Sequence, residues 1–179
     1  MFWRSRINYS CNSFNVIMQS FALAVLLVFL SAGSPYAADL VGKAVGVSDG
    51  DTIALLTSDN RQYKIRLTGI DAPEKTQAFG QAAKRNLSAL VYNKQVKADC
   101  IGSDRYKRGL CKIILNGTDV NLAQIKSGHA WHYKKYQASQ SPADRATYAN
   151  AEDAAKREKI GLWADRSPIP PWQYRKRPY

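Results

Sequence analysis

From Leu40 onward the apolar residues fall in short runs separated by Gly, Asp, Asn and Ser, the punctuation of strands joined by tight turns. Leu40 to Val47 is the first run and ends at Asp49-Gly50. An Asp-Gly pair between two β-prone runs predicts a hairpin whose tight turn takes positive φ. Thr52 to Thr57 predicts the second strand, closed by the polar turn Ser58-Asp59-Asn60. Gln62 to Thr68 alternates, with Tyr63, Ile65 and Leu67 on one face and Lys64 and Arg66 on the other, and predicts a third. Pro73 within Asp71-Ala72-Pro73-Glu74 ends the pattern, because it has no N–H to donate and restricts its predecessor.

The period then lengthens. Gln81 to Tyr92 is rich in helix formers and sets Ala83, Leu87 and Leu90 at core-facing spacing. Val96 to Cys100 and Leu110 to Leu115 predict two more strands, the second ending at Asn116-Gly117. Val120 to Lys126 predicts a short helix stopped by Gly128, and Pro142 to Lys159 a longer one stopped by Gly161. Residues 166–179 are proline-rich and basic, and predict a tail that wraps the surface without regular structure. The expected class is α+β, mainly β: a five-stranded antiparallel barrel of the OB type with about three helices. The pattern alone leaves other α+β arrangements open.

The N-terminus reads differently. Arg4 and Arg6 precede the apolar run Phe21 to Leu30 and the small residues before Ala37-Ala38, the order of a secretory signal peptide. The run is short for a bilayer, which asks for ~20 residues. Residues 1–38 are therefore expected to be a leader, with an uncleaved anchor as the alternative, and 39–165 the folded domain. The chain would be secreted or periplasmic, or membrane-anchored if the leader stays. Losing the leader would also remove Cys11, leaving Cys100 and Cys111 as an even pair in an oxidising compartment. They are candidates for a disulfide if they flank a connection between neighbouring strands; two reduced, packed thiols are the other reading.

Lys and Arg number 26 against 14 Asp and Glu, a net charge of +12, which favours a polyanionic partner, nucleic acid ahead of an anionic membrane. Against that background the acidic residues at strand ends stand out. Asp51 lies one residue past the hairpin glycine, and Asp71 and Glu74 follow the third strand. If strands two and three pair, these loops meet, and clustered carboxylate oxygens suit a hard cation, Ca²⁺ or Mg²⁺ alike. Asp49 is better read as turn chemistry. Arg66 and Arg108 add guanidinium groups, which match the equatorial oxygens of a phosphodiester transition state. Tyr106, Tyr133 and Tyr136 are interleaved with Arg105, Lys107, Lys134 and Lys135, a pattern suited to stacking unpaired bases. Packing is an equal reading for Tyr133 and Tyr136. His129 and His132 have no third metal-ligand partner in sequence and read as structural.

Three segments together carry a family resemblance: Asp49-Gly50-Asp51-Thr52, Arg66-Leu67-Thr68-Gly69-Ile70-Asp71-Ala72-Pro73-Glu74, and Asp104-Arg105-Tyr106-Lys107-Arg108-Gly109. In order and spacing they resemble the motifs of the staphylococcal nuclease (thermonuclease) family, over about Val41 to Trp163. The resemblance implies an OB barrel and Ca²⁺-dependent hydrolysis of DNA and RNA to 3′-phosphate ends. It implies that Asp51, Asp71 and the backbone carbonyl of Ala72 hold Ca²⁺, and that Arg66 and Arg108 grip the phosphate. Glu74 would act on the attacking water, as base or as positioner, while Arg105, Tyr106, Tyr133 and Tyr136 would contact substrate. Three departures matter: Ala72 where Thr is frequent, Lys107 where Gly is frequent, and a shorter loop after Glu74. Single-stranded or frayed nucleic acid is the expected partner of a monomer. The rival expectations are a non-catalytic OB barrel that binds nucleic acid and a membrane-anchored interaction protein.

Overall fold

The computed structural model describes residues 39–177, so the leader expected at 1–38 lies outside the described residues. Strands β1 (Leu40–Asp49), β2 (Thr52–Thr57) and β3 (Gln62–Leu67) form an antiparallel meander. β4 is the two-residue strand Ile70–Asp71, and α1 spans Gly80–Val91. β5 (Gln95–Ser103) and β6 (Gly109–Leu115) form a second antiparallel hairpin, and β5 pairs with β1. The ring closes where β6 lies beside β3. This is a closed five-stranded OB barrel, β1-β2-β3-β6-β5, with the helices outside it.

One expectation needs correction: the barrel is mixed rather than antiparallel. Ile65, Arg66 and Leu67 pair in parallel with Gly109, Leu110 and Cys111. Alternation tells which face a residue takes, whereas the direction of a neighbour depends on the path of the chain through α1. The inward positions are as the pattern implies. Ala44, Ile53, Leu55, Ile65, Leu67, Val96, Ala98 and Ile113 fill the barrel, and Ala83, Leu87 and Val91 of α1 close one opening.

Beyond the barrel come the short strand β7 (Thr118–Asp119), α2 (Val120–Lys126), β8 (Trp131–His132), α3 (Pro142–Arg157) and α4 (Pro171–Tyr174). Asp119 caps α2 through Leu122 N–H at 2.9 Å and accepts from Tyr148 of α3 at 2.7 Å. α3 ends at Arg157, two residues short of the expected boundary, because Lys159 already adopts a left-handed φ of 55°. The C-terminal segment is likewise not irregular throughout, since α4 forms one helical turn against the domain. Cys100 and Cys111 face each other across the β5–β6 pair and are bridged.

β8 pairs with β4, setting Ile70 opposite His132 and Asp71 opposite Trp131. Glu152 of α3 holds this ladder from behind. It accepts from His132 N–H at 3.0 Å and from Lys134 and Lys156 at 2.8 and 2.9 Å, while itself only 1% exposed. Burial pushes its carboxyl up, but the two lysines outweigh burial and hold it below its ordinary 4.5. A depressed carboxyl stabilises the fold above its unfolded-state value, and that stabilisation fades as pH falls through the lower folded value. Glu152→Gln is therefore expected to lose about 1–2 kcal/mol at neutral pH. The deficit should shrink below about pH 4.5. Urea unfolding at about pH 7 and pH 3 measures both, and an equal deficit at the two pH values would contradict the assignment.

Candidate active site

The β1–β2 turn and the end of β3 meet as expected from their pairing. Asp51 is 2% exposed and Asp71 is fully buried. The Ala72 N–H donates to Asp51 Oδ2 at 2.8 Å, tying the hairpin turn to β4. Between the carboxylates sits Arg66, on the outward face of β3 opposite Thr52. Its guanidinium donates to Asp71 Oδ1 at 2.7 Å and pairs with Asp51 Oδ1. Burial would push Arg66 down, but Asp51 and Asp71 hold it above its ordinary value, so it is a fixed cation. Burial pushes Asp71 up, opposed first by Arg175 and then by Arg66. Asp49 rises to about 6, through burial and then repulsion by Asp51. It also accepts from the Asp51 N–H at 3.2 Å, the turn role expected of it.

Gly50 is required at this turn for a reason different from the expected one. Its φ is not positive; what it supplies is space. A Cβ there would lie 2.6 Å from the Cβ atoms of both Ala72 and Ala83, so β4 and α1 close on the turn from two sides. Gln124 of α2 fixes the same turn by donating to Gly50 O at 2.7 Å and Ala83 O at 3.2 Å.

Glu74 stands at the edge of this cluster, its side chain 36% exposed. The short loop after it is two consecutive turns, Gln77 N–H to Glu74 O at 2.8 Å and Gly80 N–H to Gln77 O at 2.9 Å. α1 thus begins directly against the Glu74 backbone, where a Cβ on Gly80 would sit 1.9 Å from Glu74 O.

Arg108 precedes Gly109, the first residue of β6 in register with β3. It is half-buried, and its ion pair is with Asp104, from Nε and Nη2 at 2.7 Å each, rather than with the carboxylate cluster. Asp104 also accepts from Tyr106 N–H at 2.9 Å and Arg108 N–H at 3.0 Å, so one carboxylate shapes the loop and aims the arginine. Lys107 takes φ 61°, the left-handed conformation that glycine adopts without steric cost. Tyr106 is 64% exposed with Arg105 and Arg108 over its ring, at 4.7 and 5.5 Å from the ring centre.

Tyr133 follows β8, its N–H bonded to Gly69 O at 2.9 Å. Its ring stacks on Trp172 at 5.4 Å and meets Tyr136 edge-on at 5.0 Å. Burial and then the nearby Asp71 carboxylate raise its phenol. A cleft of about 700 Å³ opens here, lined by Arg105, Tyr133, Lys134, Lys156, Trp172 and Arg175. His132 is buried and hydrogen-bonded to Gln140 at 2.9 Å, and His129 to Ser127 at 3.0 Å.

Four contributors escaped sequence reasoning. Asp104 lay inside a quoted motif without a role, and Gln124 looked like any helix residue. Trp172 and Arg175 belong to the tail, where a tryptophan among prolines was the only signal. Arg175 donates to Asp71 Oδ1 and Oδ2 at 3.2 and 2.8 Å and to Glu74 Oε1 at 2.6 Å. No set of three or more His, Cys, Asp or Glu converges as a cation site among the described residues. The oxygen donors of the type a hard cation takes are Asp51 and Asp71, two carboxylates joined by Arg66, with the Ala72 N–H on Asp51 Oδ2.

An OB barrel that sets buried carboxylates beside guanidinium groups, with a basic aromatic cleft alongside, is built to hydrolyse phosphodiesters as well as to bind them. The profile of the family described as staphylococcal nuclease homologue matches residues 64–165. An uncharacterized endonuclease of Haemophilus influenzae is 46% identical over 134 residues, covering 75% of this chain and 72% of that protein. A micrococcal nuclease of Shigella flexneri is 34% identical over 169 residues, covering 89% and 92%. Protein ParB of Escherichia coli is 35% identical over 173 residues, covering 92% and 93%. The chain belongs to the staphylococcal nuclease family and is a hydrolytic nuclease.

Gly50→Ala tests how the site is held. It should destabilise the protein by about 1–3 kcal/mol, since both facing atoms belong to packed elements. Nuclease activity should fall even at temperatures where the variant is folded, because Asp51 and Ala72 are forced apart. Thermal unfolding and rate measurements on the same sample check both, and an unchanged melting temperature would refute the close packing.

Proposed function

We propose that the chain is an exported, calcium-dependent endonuclease that cleaves single-stranded or frayed DNA and RNA, leaving 3′-phosphate ends. The observation that carries this reading is the buried Asp51–Arg66–Asp71 cluster with Glu74 at its edge. Binding alone requires no carboxylates beside the phosphate, so the cluster argues for catalysis. Asp51, Asp71 and the Ala72 carbonyl would hold Ca²⁺. When bound, the ion neutralises phosphate charge and helps to orient water.

The chain's own groups do the rest. Arg66 and Arg108 donate to the nonbridging phosphate oxygens and stabilise the charge that builds there during in-line attack. Glu74, the most exposed of the three carboxylates, orients the attacking water or takes its proton. A P–O bond forms to that water while the bond to the 5′-oxygen breaks, and the departing oxygen is protonated from solvent. No 2′-hydroxyl takes part, which suits both DNA and RNA. Arg105, Tyr106, Tyr133 and Tyr136 would hold neighbouring nucleotides by charge and stacking. A monomer suffices for this site. Export rests on the leader at residues 1–38 and agrees with the Cys100–Cys111 bridge, which an oxidising compartment favours.

Digestion of single-stranded DNA should require Ca²⁺ and stop in EGTA, with Mg²⁺ a poor substitute. Arg66→Ala, Glu74→Ala and Arg108→Ala should each lower the rate by about a hundredfold or more while remaining folded. The products should prime a polymerase only after phosphatase treatment. Direct extension would establish 3′-hydroxyl ends, and a wild-type rate in any folded variant would remove that residue from the mechanism.

A further inference from the structure

We propose that Arg175 is a built-in counter-cation of the active site: it holds Asp71 and Glu74 in the cation-free enzyme and must release them when a divalent cation binds. The inference rests on the reading of Asp51 and Asp71 as the cation site. Asp71 is fully buried, and a buried carboxylate needs compensation at each oxygen. Arg66 reaches only Oδ1. Oδ2 is met by Arg175 alone among the described residues, at 2.8 Å, and the same guanidinium spans to Oδ1 at 3.2 Å and Glu74 Oε1 at 2.6 Å. A fork on Asp71 with a third bond to Glu74 takes the lone pairs that a hard cation would use. It also places a like charge beside that cation.

The contact is not a chance brush of a loose tail. Gln77, in the loop after Glu74, donates to Ile169 O at 2.6 Å. Thr76 and Tyr174 are bonded through their hydroxyls at 3.3 Å, and Trp172 lies against both Trp131 and Tyr133. The segment carrying Arg175 is thus fastened to the loop it regulates, outside the region matched by the family profile. The Arg175 side chain is 40% exposed and lines the neighbouring cleft, so it can leave the carboxylates while its segment stays docked. Arg175 is a positioning residue in this scheme: it holds both carboxylates in place, and it sets how much cation is needed to displace it.

Calorimetric titration of the full enzyme with Ca²⁺ alone, without nucleic acid, tests this directly. Arg175→Gln should tighten the Ca²⁺ Kd by about tenfold, the scale of charge-assisted hydrogen bonds no longer broken on binding. Arg175→Lys should return the Kd toward the wild-type value, because it restores the charge without the fork. Lys176→Gln, which removes the adjacent charge but no carboxylate contact, should stay within about twofold. A Kd for Arg175→Gln equal to or weaker than wild type overturns the proposal. So does equal tightening by Lys176→Gln, which would mean general charge. Asp71→Asn separates the two levels. If it binds Ca²⁺ as the wild type does, the cation-site reading fails, and the counter-cation with it. If it loses binding while Arg175→Gln changes nothing, only the role of Arg175 falls.

Discussion

Carboxylates facing each other in a protein interior repel, and a positive charge between them offsets that repulsion. Arg66 is that charge. It joins Asp51 from the β1–β2 turn to Asp71 of β4, so the fold's first hairpin and the segment that follows β3 are joined electrostatically as well as by packing. Much else follows from this requirement. The Ala72 N–H, the close approach to Gly50 and the Gln124 clamp all keep the turn where Arg66 can reach it. The β4–β8 ladder fixes the backbone of Asp71 from the other side. The group that joins these two loops is also the guanidinium proposed to meet the phosphate.

Sequence reading reached the strands and helices because burial alternates with the pleat, as at Ile65 and Leu67, and that alternation is written residue by residue. It also gave the meeting of Asp51 with Asp71, since a hairpin followed by a third strand leaves few places for those loops. It failed where the cause was nonlocal. The parallel β3–β6 pairing depends on a path through α1 that periodicity does not record. Gly50 was recognised as necessary, yet for backbone freedom, when the actual constraint comes from Ala72 and Ala83, distant in sequence. Arg175 was invisible because one arginine in a basic tail looks like its neighbours until the tail is placed. Asp104 sat inside a recognised motif, but only geometry shows that it shapes the loop and aims Arg108.

Charge is also distributed unevenly in a way the net value conceals. The buried carboxylates Asp51 and Asp71 are gathered inward at one spot, while the aromatic cleft beside them is rimmed by lysines and arginines. An approaching polyanion therefore meets positive potential first and carboxylates last. The hydrogen bonds of Glu152 keep Lys134 and Lys156 of that rim in fixed positions, which makes the approach geometric as well as electrostatic.

The parallel seam between β3 and β6 has a consequence of its own. Arg66 lies within it and Arg108 lies one residue outside it, so the two arginines proposed to grip phosphate come from strands that meet only when the ring is complete. A chain that has folded its meander but not closed the ring has one arginine and no partner for it. Setting Arg66 and Arg108 on adjoining strands is then a property of the finished barrel, which a half-folded copy lacks.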